Sequence, residues 1–203
     1  MDTPSLLIPT LLAIIMSISI HEFMHAYLAD RLGDNTPAYQ GRLTLNPLAH
    51  FDPLGALLIL FTLFAGFGIG WGKPVQFNPW NLKNPVRDAA LISLAGPASN
   101  FVQAIFFAIV IRFVPEEVKL FFLPFIVVNL SLGLFNLLPV APLDGFKVVA
   151  GLLPKSLAFQ WQQLERYGLI FLIFLIFPFG GTSLLGTFLL PTVQYLFDFL
   201  MSF

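Results

Sequence analysis

Long apolar runs separated by short polar stretches dominate this chain. The runs lie at residues 5–32, 54–69, 89–113, 120–138, 167–179 and 184–200. A helix needs about 20 apolar residues to cross a bilayer, and several of the runs approach or exceed that length. The polar stretches between them are rich in proline, glycine and asparagine, which mark turns and helix ends. The pattern predicts an all-α polytopic membrane protein.

Composition supports this class. Of the 203 residues, 57% are hydrophobic and 10% are charged, whereas soluble domains carry roughly 25% charged residues. The net charge of −1 and the lack of a basic tract give no reason to expect a nucleic-acid partner. The absence of cysteine excludes disulfides, thiolate zinc ligands and thiol catalysis. We expect one membrane domain over residues 1–203, with a core at 5–151 and C-terminal helices at 165–203.

Three stretches need separate interpretation. The first apolar run follows an acid and no Lys or Arg, and no small-residue cleavage site follows it, so we expect a retained transmembrane helix. Residues 36–50 are predicted to form a short extended or hairpin segment. Residues 54–69 either cross the membrane or enter it and return as a re-entrant segment.

The ten Lys and Arg residues favour the re-entrant alternative. If residues 54–69 crossed the membrane, the basic residues would divide six to four between the two sides. If the segment returns, they divide eight to two, which fits the positive-inside rule better. We therefore expect five crossings and one re-entrant segment, with the N-terminus outside and the C-terminus in the cytoplasm.

An ionisable cluster interrupts the first apolar run. His21, Glu22 and His25 form the pattern H-E-x-x-H in a segment that otherwise carries no Asp, Glu, Lys, Arg or His between residues 5 and 29. Ionisable groups at membrane depth are costly and indicate a functional site. Residues i and i+4 share one face of a helix, so both histidines can bind one metal ion. Glu22 lies beside that face, where it can act on a metal-bound water.

A catalytic zinc site typically has three protein ligands and one open position. Asp144 is the best candidate for the third ligand, because it follows an apolar run that Pro139 and Pro142 interrupt. Non-helical backbone at membrane depth is tolerated where it is buried or lines a wet cavity. The alternative, an interfacial acid that caps a helix, stays open on these residues alone.

Three motifs in order carry a family resemblance. They are H-E-x-x-H at His21, G-P-x-x-N from Gly96 to Asn100, and N-x-x-P-x-x-x-L-D-G from Asn136 to Gly145. This set is similar to that of the site-2 protease family of intramembrane zinc metalloproteases. The resemblance covers residues 16–151. The PDZ and CBS domains of many family members have no counterpart in these residues, so we expect a compact form.

The resemblance implies a site and an activity. His21, His25 and Asp144 would bind one Zn²⁺ per chain, and Glu22 would be the catalytic acid/base. The implied function is an intramembrane zinc endopeptidase that cleaves transmembrane segments near the cytoplasmic leaflet, by Glu-assisted attack of a zinc-bound water. The expected partners are the lipid bilayer and single-span membrane proteins, such as anti-sigma-factor-like proteins or signal-peptide remnants. The expected location is a prokaryotic cell membrane, with the active site toward the cytoplasm.

Two other functions compete with this interpretation. A membrane metal-ion transporter would need a relay of ionisable groups, and the runs outside the motifs are nearly devoid of them. An inactive membrane scaffold would have no need of Glu22.

Four further features remain open. Asn100 and Asn136 could bind substrate, or could bond neighbouring helices as asparagines in membranes often do. His50 lies near Pro47 and Pro53, and we expect it to be structural. Residues 73–77 form either an extended edge that pairs with an unwound substrate or an ordinary loop.

Overall fold

The computed structural model describes residues 3–65, 70–178, 181 and 183–202, and within these ranges the protein is helical without strands. The helices are α1 (Thr3–Arg31), α2 (Thr36–Tyr39), α3 (Pro53–Ala65), α4 (Pro85–Val110), α5 (Glu116–Asn136), α6 (Asp144–Leu152), α7 (Lys155–Gln162), α8 (Glu165–Ile176) and α9 (Leu184–Met201). Two 3₁₀ turns, Pro47–His50 and Pro79–Asn81, lie in the connections before α3 and α4.

Four of the described helices are long and apolar enough to cross a membrane: Leu6–Arg31 of α1, and the whole of α4, α5 and α9. This confirms the prediction of a helical multi-pass membrane protein.

Local sequence sets where α4 begins. Pro85 occupies its first turn, where a backbone N–H is not needed. Asp88 accepts a hydrogen bond from the Asn84 N–H at 2.8 Å and so closes that turn.

α1, α4 and α5 pack together at the centre of the molecule. Small side chains let the first two approach closely, since Ala13 of α1 and Ala104 of α4 are fully buried. Ile126 and Leu130 of α5 complete this apolar cluster, and Val193 brings α9 against it. The packing places the second halves of α1 and α5 and the first half of α4 at one end of the bundle.

After α3, the chain returns to where that helix began. The 13 residues of α3 extend about 20 Å, less than the roughly 30 Å of a bilayer's apolar core. After α3, the Lys73 N–H donates to the His50 carbonyl at 2.8 Å. A Cβ on Gly55 would lie 1.9 Å from the Trp71 carbonyl oxygen, so the returning chain packs directly on α3. Both ends of the segment therefore lie on one side, as in the re-entrant arrangement. Residues 66–69 of the predicted segment lie outside the described residues.

Residues 36–50 do not form the expected extended or hairpin segment. Thr36–Tyr39 is one helical turn, and Pro47–His50 is a 3₁₀ turn. The Asn46 side chain accepts from the Leu48 N–H at 3.1 Å and starts the second turn. Gly41, at φ +68°, redirects the chain between the two turns. The alternation of leucine with polar residues resembled a strand, but an isolated hairpin is marginally stable, and local capping formed turns instead.

The expectation of five crossings is wrong at residues 167–179. Residues 167–176 of this run lie in α8, whose 12 residues extend only about 18 Å. Residue 179 lies outside the described residues. Leu172 of α8 packs on Val140 and Leu143 in the loop after α5. α8 therefore covers that loop and does not cross the membrane.

The last crossing reverses the expected position of the C-terminal end. Arg112, just after α4, donates from Nη2 to the Leu200 carbonyl of α9 at 2.8 Å. α9 thus ends on the side where α4 ends, which is also the side where α1 begins. Four crossings place both ends of the described chain on the same side, not on opposite sides.

Candidate metal centre

α1 and the start of α6 bring three ligand atoms together. His21 and His25 occupy successive turns of α1, and their Nε2 atoms are 3.0 Å apart. Asp144 Oδ2 lies 3.1 Å from the Nε2 of His21 and 3.2 Å from that of His25. Both histidines are buried. Within the described ranges, this is the one group of three or more His, Cys, Asp or Glu residues that could hold a metal ion.

The other ring nitrogen of each histidine is fixed by α4. His21 Nδ1 donates to Asn100 Oδ1 at 2.6 Å, and His25 Nδ1 donates to the Ile92 carbonyl at 2.7 Å. A proton on Nδ1 leaves the Nε2 lone pair free for a metal. Hydrogen bonds of this kind orient the ligand rings and raise their basicity. α4 therefore holds both histidine rings with Nε2 available to a metal ion.

Asn100 is itself held by a second asparagine. Its amide Nδ2 donates to Asn129 Oδ1 of α5 at 2.9 Å, and Asn129 Nδ2 donates to the Phe125 carbonyl at 2.8 Å. Both asparagines are fully buried. The directed chain from α5 through α4 to His21 fixes the amide of Asn100 with its oxygen toward the ring.

Gly96 of α4 faces the two histidine rings directly. A Cβ at this position would lie 2.5 Å from His25 Nε2 and 2.6 Å from His21 Nε2. These distances are far inside van der Waals contact. A glycine is therefore required here to leave room for the ligand atoms and for anything that they bind.

A tight loop delivers Asp144 to the histidines. Residues 137–143, interrupted by Pro139 and Pro142, connect α5 to α6, and Asp144 is the first residue of α6. A Cβ on Gly145 would lie 2.2 Å from the Leu137 carbonyl oxygen, so this loop packs directly against the start of α6. The close packing fixes the carboxylate at the end of the bundle that holds His21 and His25.

Glu22 lies beside the cluster and is bound to the segment that follows α3. Its Oε2 accepts a hydrogen bond from the Val75 N–H at 2.7 Å. The Arg42 guanidinium donates to the carbonyl of Lys73 in the same segment. Glu22 is thus oriented by backbone while it remains outside the group of three ligand atoms.

Asp34 binds the C-terminal end of the segment that follows α3. It is fully buried and accepts from the Asn78 N–H at 2.6 Å and from the Asn81 side chain at 2.7 Å. The Thr36 hydroxyl donates to it at 2.5 Å. Burial acts to raise the pKa of Asp34, but the hydrogen bonds from Thr36, Asn81 and Asn78 outweigh it, and the pKa is lowered.

Similarity to known proteins shows which family the chain belongs to. Residues 115–178 match the model described as peptidase family M50. A Bacillus subtilis (strain 168) protein, "Putative zinc metalloprotease YwhC", is 40% identical over 191 residues, which cover 88% of this chain and 85% of that protein. The chain belongs to peptidase family M50. This confirms the resemblance to the site-2 proteases.

Two further relatives of this M50 peptidase carry another name. "Putative zinc metalloprotease Rip2" of Mycobacterium tuberculosis (strain ATCC 25618 / H37Rv) is 32% identical over 192 residues, which cover 91% of this chain and 71% of that protein. The protein of the same name from Mycolicibacterium smegmatis is 29% identical over 193 residues. No solved structure matches the chain.

The ligand set of this M50 peptidase fits Zn²⁺. Zinc favours histidine nitrogen and carboxylate oxygen, and a tetrahedral centre with bonds of about 2.0–2.1 Å separates its ligands by about 3.3–3.4 Å. The observed separations of 3.0, 3.1 and 3.2 Å are within a few tenths of that value. Three protein ligands also leave a fourth position open, as in catalytic zinc sites.

Two residues singled out from the sequence lie outside the ligand group. Asn136, near the end of α5, donates to its own helix at the Leu132 carbonyl at 3.0 Å. His50 is buried and bonds through Nε2 to the Thr44 carbonyl at 2.8 Å. These contacts agree with the structural role expected for His50.

The sequence alone did not indicate three residues of the site. Asn129 is a polar residue in the apolar middle of α5, a signal that could have drawn attention to it. Ile92 contributes only its backbone carbonyl, which side-chain patterns do not reveal. Arg42 lies in a connection that was predicted to be a short extended or hairpin segment, and that prediction did not indicate that its side chain is buried.

Proposed function

We propose that this M50 peptidase is a zinc endopeptidase that cleaves transmembrane segments of single-span membrane proteins. The observation that carries the proposal is the depth of the ligands in α1. His21 and His25 lie 10 and 6 residues before Arg31, where the helix ends, which is about 15 and 9 Å along its axis. A metal held at these positions lies inside the span, within reach of another membrane helix and of water from one side.

Glu22 is proposed as the proton-transfer group. The Val75 N–H fixes one carboxylate oxygen, which leaves the other free to accept a proton and to deliver it to the leaving amine. When bound, Zn²⁺ would polarise the scissile carbonyl and make a water molecule more acidic. His21, His25 and Asp144 would hold that ion, while Asn100 and Ile92 keep the rings in position.

The broken backbone near the site suits a substrate that must unwind. A transmembrane helix hides its carbonyls in its own hydrogen bonds, so cleavage requires local extension. Residues 137–143 are non-helical and lie beside Asp144. Asn136, the last residue of α5 before this loop, donates through its Nδ2 to the Leu132 carbonyl of its own helix, and we propose that its side-chain oxygen contacts substrate backbone. For Asn100, we propose the orientation of His21 as the main role.

Charge supports an active site on the cytoplasmic side of a cell membrane. Eight of the ten basic residues lie in the connections, short helices and helix ends on the side of the bundle that holds the metal cluster, and the positive-inside rule assigns that side to the cytoplasm. The named relatives are bacterial proteins, which supports a prokaryotic membrane. Anti-sigma-factor-like proteins and signal-peptide remnants are the substrate classes to test first.

A transporter is less well supported by the described structure. Transport needs successive binding groups along a path, and the described residues hold a single group that could bind a metal ion.

Co-expression with a panel of single-span test proteins tests the proposal. The wild-type enzyme should release fragments whose masses place the cut within the apolar span, near its cytoplasmic end. The Glu22→Gln variant should release none while retaining about one zinc ion per purified chain. Zinc loss in parallel with activity would make Glu22 a ligand, and cuts confined to soluble loops would refute intramembrane cleavage.

A further inference from the structure

Arg42 is a buried cation without a bound anion. Its side chain is only 5% exposed, and its hydrogen bond is to a neutral group, the Lys73 carbonyl. Its Nε–H is buried without a partner. In the ranges that the structure describes, no carboxylate lies within 4.0 Å of it. Buried charges are normally paired, so the Arg42 guanidinium has the donors to bind an anion that the described residues do not supply.

A cavity of about 410 Å³ lies against Arg42. Its lining is polar and basic, formed by Gln40, Arg42, Lys73, Pro74 and Gln76. A guanidinium binds a carboxylate through two parallel hydrogen bonds, and the neighbouring amine and amides can add further donors. The wall therefore has the chemistry of a carboxylate site.

The wall of this cavity also orients the proposed base. Lys73, whose carbonyl binds Arg42, and Val75, whose N–H binds Glu22, are two residues apart in the same non-helical segment. Two residues of extended chain span about 7 Å. Among the described residues no ion pair within 4.0 Å joins Glu22 to Arg42, so Glu22 compensates the charge of Arg42 only from a distance. Burial lowers the pKa of Arg42, and the charge of Glu22 opposes that shift.

We propose that this cavity binds an acidic side chain of the polypeptide substrate, an Asp or Glu about two or three residues from the cleaved bond. The inference rests on the proposed endopeptidase function. An extended substrate that presents its scissile bond to Glu22 would place such a residue next to Arg42, given the spacing of about 7 Å along the segment. A phosphate of a lipid headgroup shares the charge, but the cavity wall is the segment that holds the base. That location favours a side chain of the substrate, not a lipid, as the occupant of the cavity.

Matched substrates test the proposal. A cleavable single-span test protein is prepared with Asp or Asn at each of the three positions on either side of the cut. Purified full-length enzyme is assayed in phosphatidylcholine liposomes. At one position, two or three residues from the cut, Asp should raise kcat/KM about tenfold over Asn, mainly through KM.

Enzyme variants test whether Arg42 causes the preference for Asp over Asn. Arg42→Gln should remove the Asp/Asn preference, whereas Arg31→Gln, with the same change of charge at the exposed end of α1, should keep it. Because the measured quantity is the ratio of kcat/KM for the Asp and Asn substrates, a general loss of activity does not change it. A binding measurement with Glu22→Gln protein should show the same preference for the Asp substrate without turnover.

The outcomes separate this inference from the proposed function. If fragments appear but Asp is favoured at none of the positions, or if Arg42→Gln retains the preference, the carboxylate site is refuted. Suppression of the preference by phosphatidylglycerol in the liposomes would assign the cavity to a lipid phosphate and also refute it. If the enzyme cleaves nothing, the proposed function fails, and binding to Glu22→Gln protein still decides the carboxylate site.

Discussion

Gly96 shows how strictly the metal centre limits a single position. Its hydrogen atom faces the Nε2 atoms of both histidines, at a point where any Cβ would overlap them. The helix backbone at this position is ordinary, so the requirement comes from the space between α1 and α4 and not from the φ angle. Substitution here should therefore act on the metal before it acts on the fold.

We expect Gly96→Ala to lower zinc affinity at least tenfold while the helical circular-dichroism signal stays near that of the wild type. The matched control is Gly186→Ala in α9, where the nearest atom to an added Cβ is the Ser183 hydroxyl at 3.0 Å. Competitive chelation of zinc from the purified proteins measures both. Unchanged zinc affinity in Gly96→Ala would contradict the assignment of this cluster as the metal site.

Asn100 and Asn136 should differ in their effect on zinc. Loss of a hydrogen bond to a metal-binding histidine typically lowers metal affinity 10- to 100-fold. We expect that loss for Asn100→Ala, because Asn100 holds His21 Nδ1. Asn136→Ala should leave zinc affinity within about twofold and raise KM if Asn136 contacts substrate. Equal zinc affinity in the two variants would remove the proposed orienting role of Asn100.

At the residue scale, the sequence predicts those positions of site residues that depend only on spacing along one helix. The spacing of His21 and His25 on one helix face follows from the helical period alone, and the placement of Glu22 beside them follows with it. Asp144 needed the three-motif resemblance, because its approach to the histidines depends on long-range packing. Asn129 and Arg42 were missed for the same reason, since their partners lie on other elements.

Among the elements, the segment after α3 depends most on side-chain anchors. It has no secondary structure between residues 70 and 78, and Asp34 binds its end through the Asn78 N–H and the Asn81 amide. The lowered pKa of Asp34 means that the ionised carboxylate is favoured in the folded protein. A group of this kind adds stability above its unfolded pKa, and that contribution is lost as the pH falls through the folded pKa.

We expect Asp34→Asn to destabilise the metal-free protein by about 1–3 kcal/mol at pH 7. The difference from wild type should persist down to the ordinary carboxyl pKa of 3.8 and shrink below it, as Asp34 becomes protonated in the wild type. Thermal unfolding in detergent at pH 7 and at pH 3 measures it. Asp30→Asn changes the charge of an exposed side chain that accepts one hydrogen bond from Asn35, and it should change stability by less than about 0.5 kcal/mol. A pH-independent difference for Asp34→Asn would contradict the role of its charge.

Element lengths explain where the sequence-based prediction succeeded and failed. α4, α5 and α9 follow long and mainly apolar runs, and their approximate positions were predictable from hydropathy. The run at residues 167–179 has similar composition, but α8 is short and buries Leu172 on the loop before Asp144. Hydropathy cannot distinguish an apolar helix that faces lipid from one that covers a loop.

For the whole molecule, four crossings change the position of the C-terminal end but not the division of charge. The chain carries no Lys or Arg after Arg166, so the side reached by α9 does not enter the positive-inside argument. The eight-to-two division therefore holds with four crossings as well as with five. This is why the charges predicted the re-entrant segment while they left the last crossing undetermined.

Single cysteines test this topology, because the native chain has none. A membrane-impermeant maleimide applied to intact cells should label cysteines placed at positions 116 and 202 and spare those at positions 42, 83 and 155. Permeabilised cells, in which every position should react, provide the control. Protection of position 202 would restore five crossings, and labelling of position 83 without position 42 would show that α3 crosses.

The separation of the ligands along the chain also constrains how the enzyme is made. A ribosome completes His21 and His25 early, whereas Asp144 emerges only after α4 and α5 have been synthesised. Until then the nascent protein has two of its three proposed ligand residues, and the acceptor from α5 that holds the Asn100 amide, Asn129 Oδ1, is not yet in place. We therefore expect the newly inserted chain to be hydrolytically inert toward other proteins leaving the translocon. Products truncated before residue 144 should be harmless to the cell for the same reason.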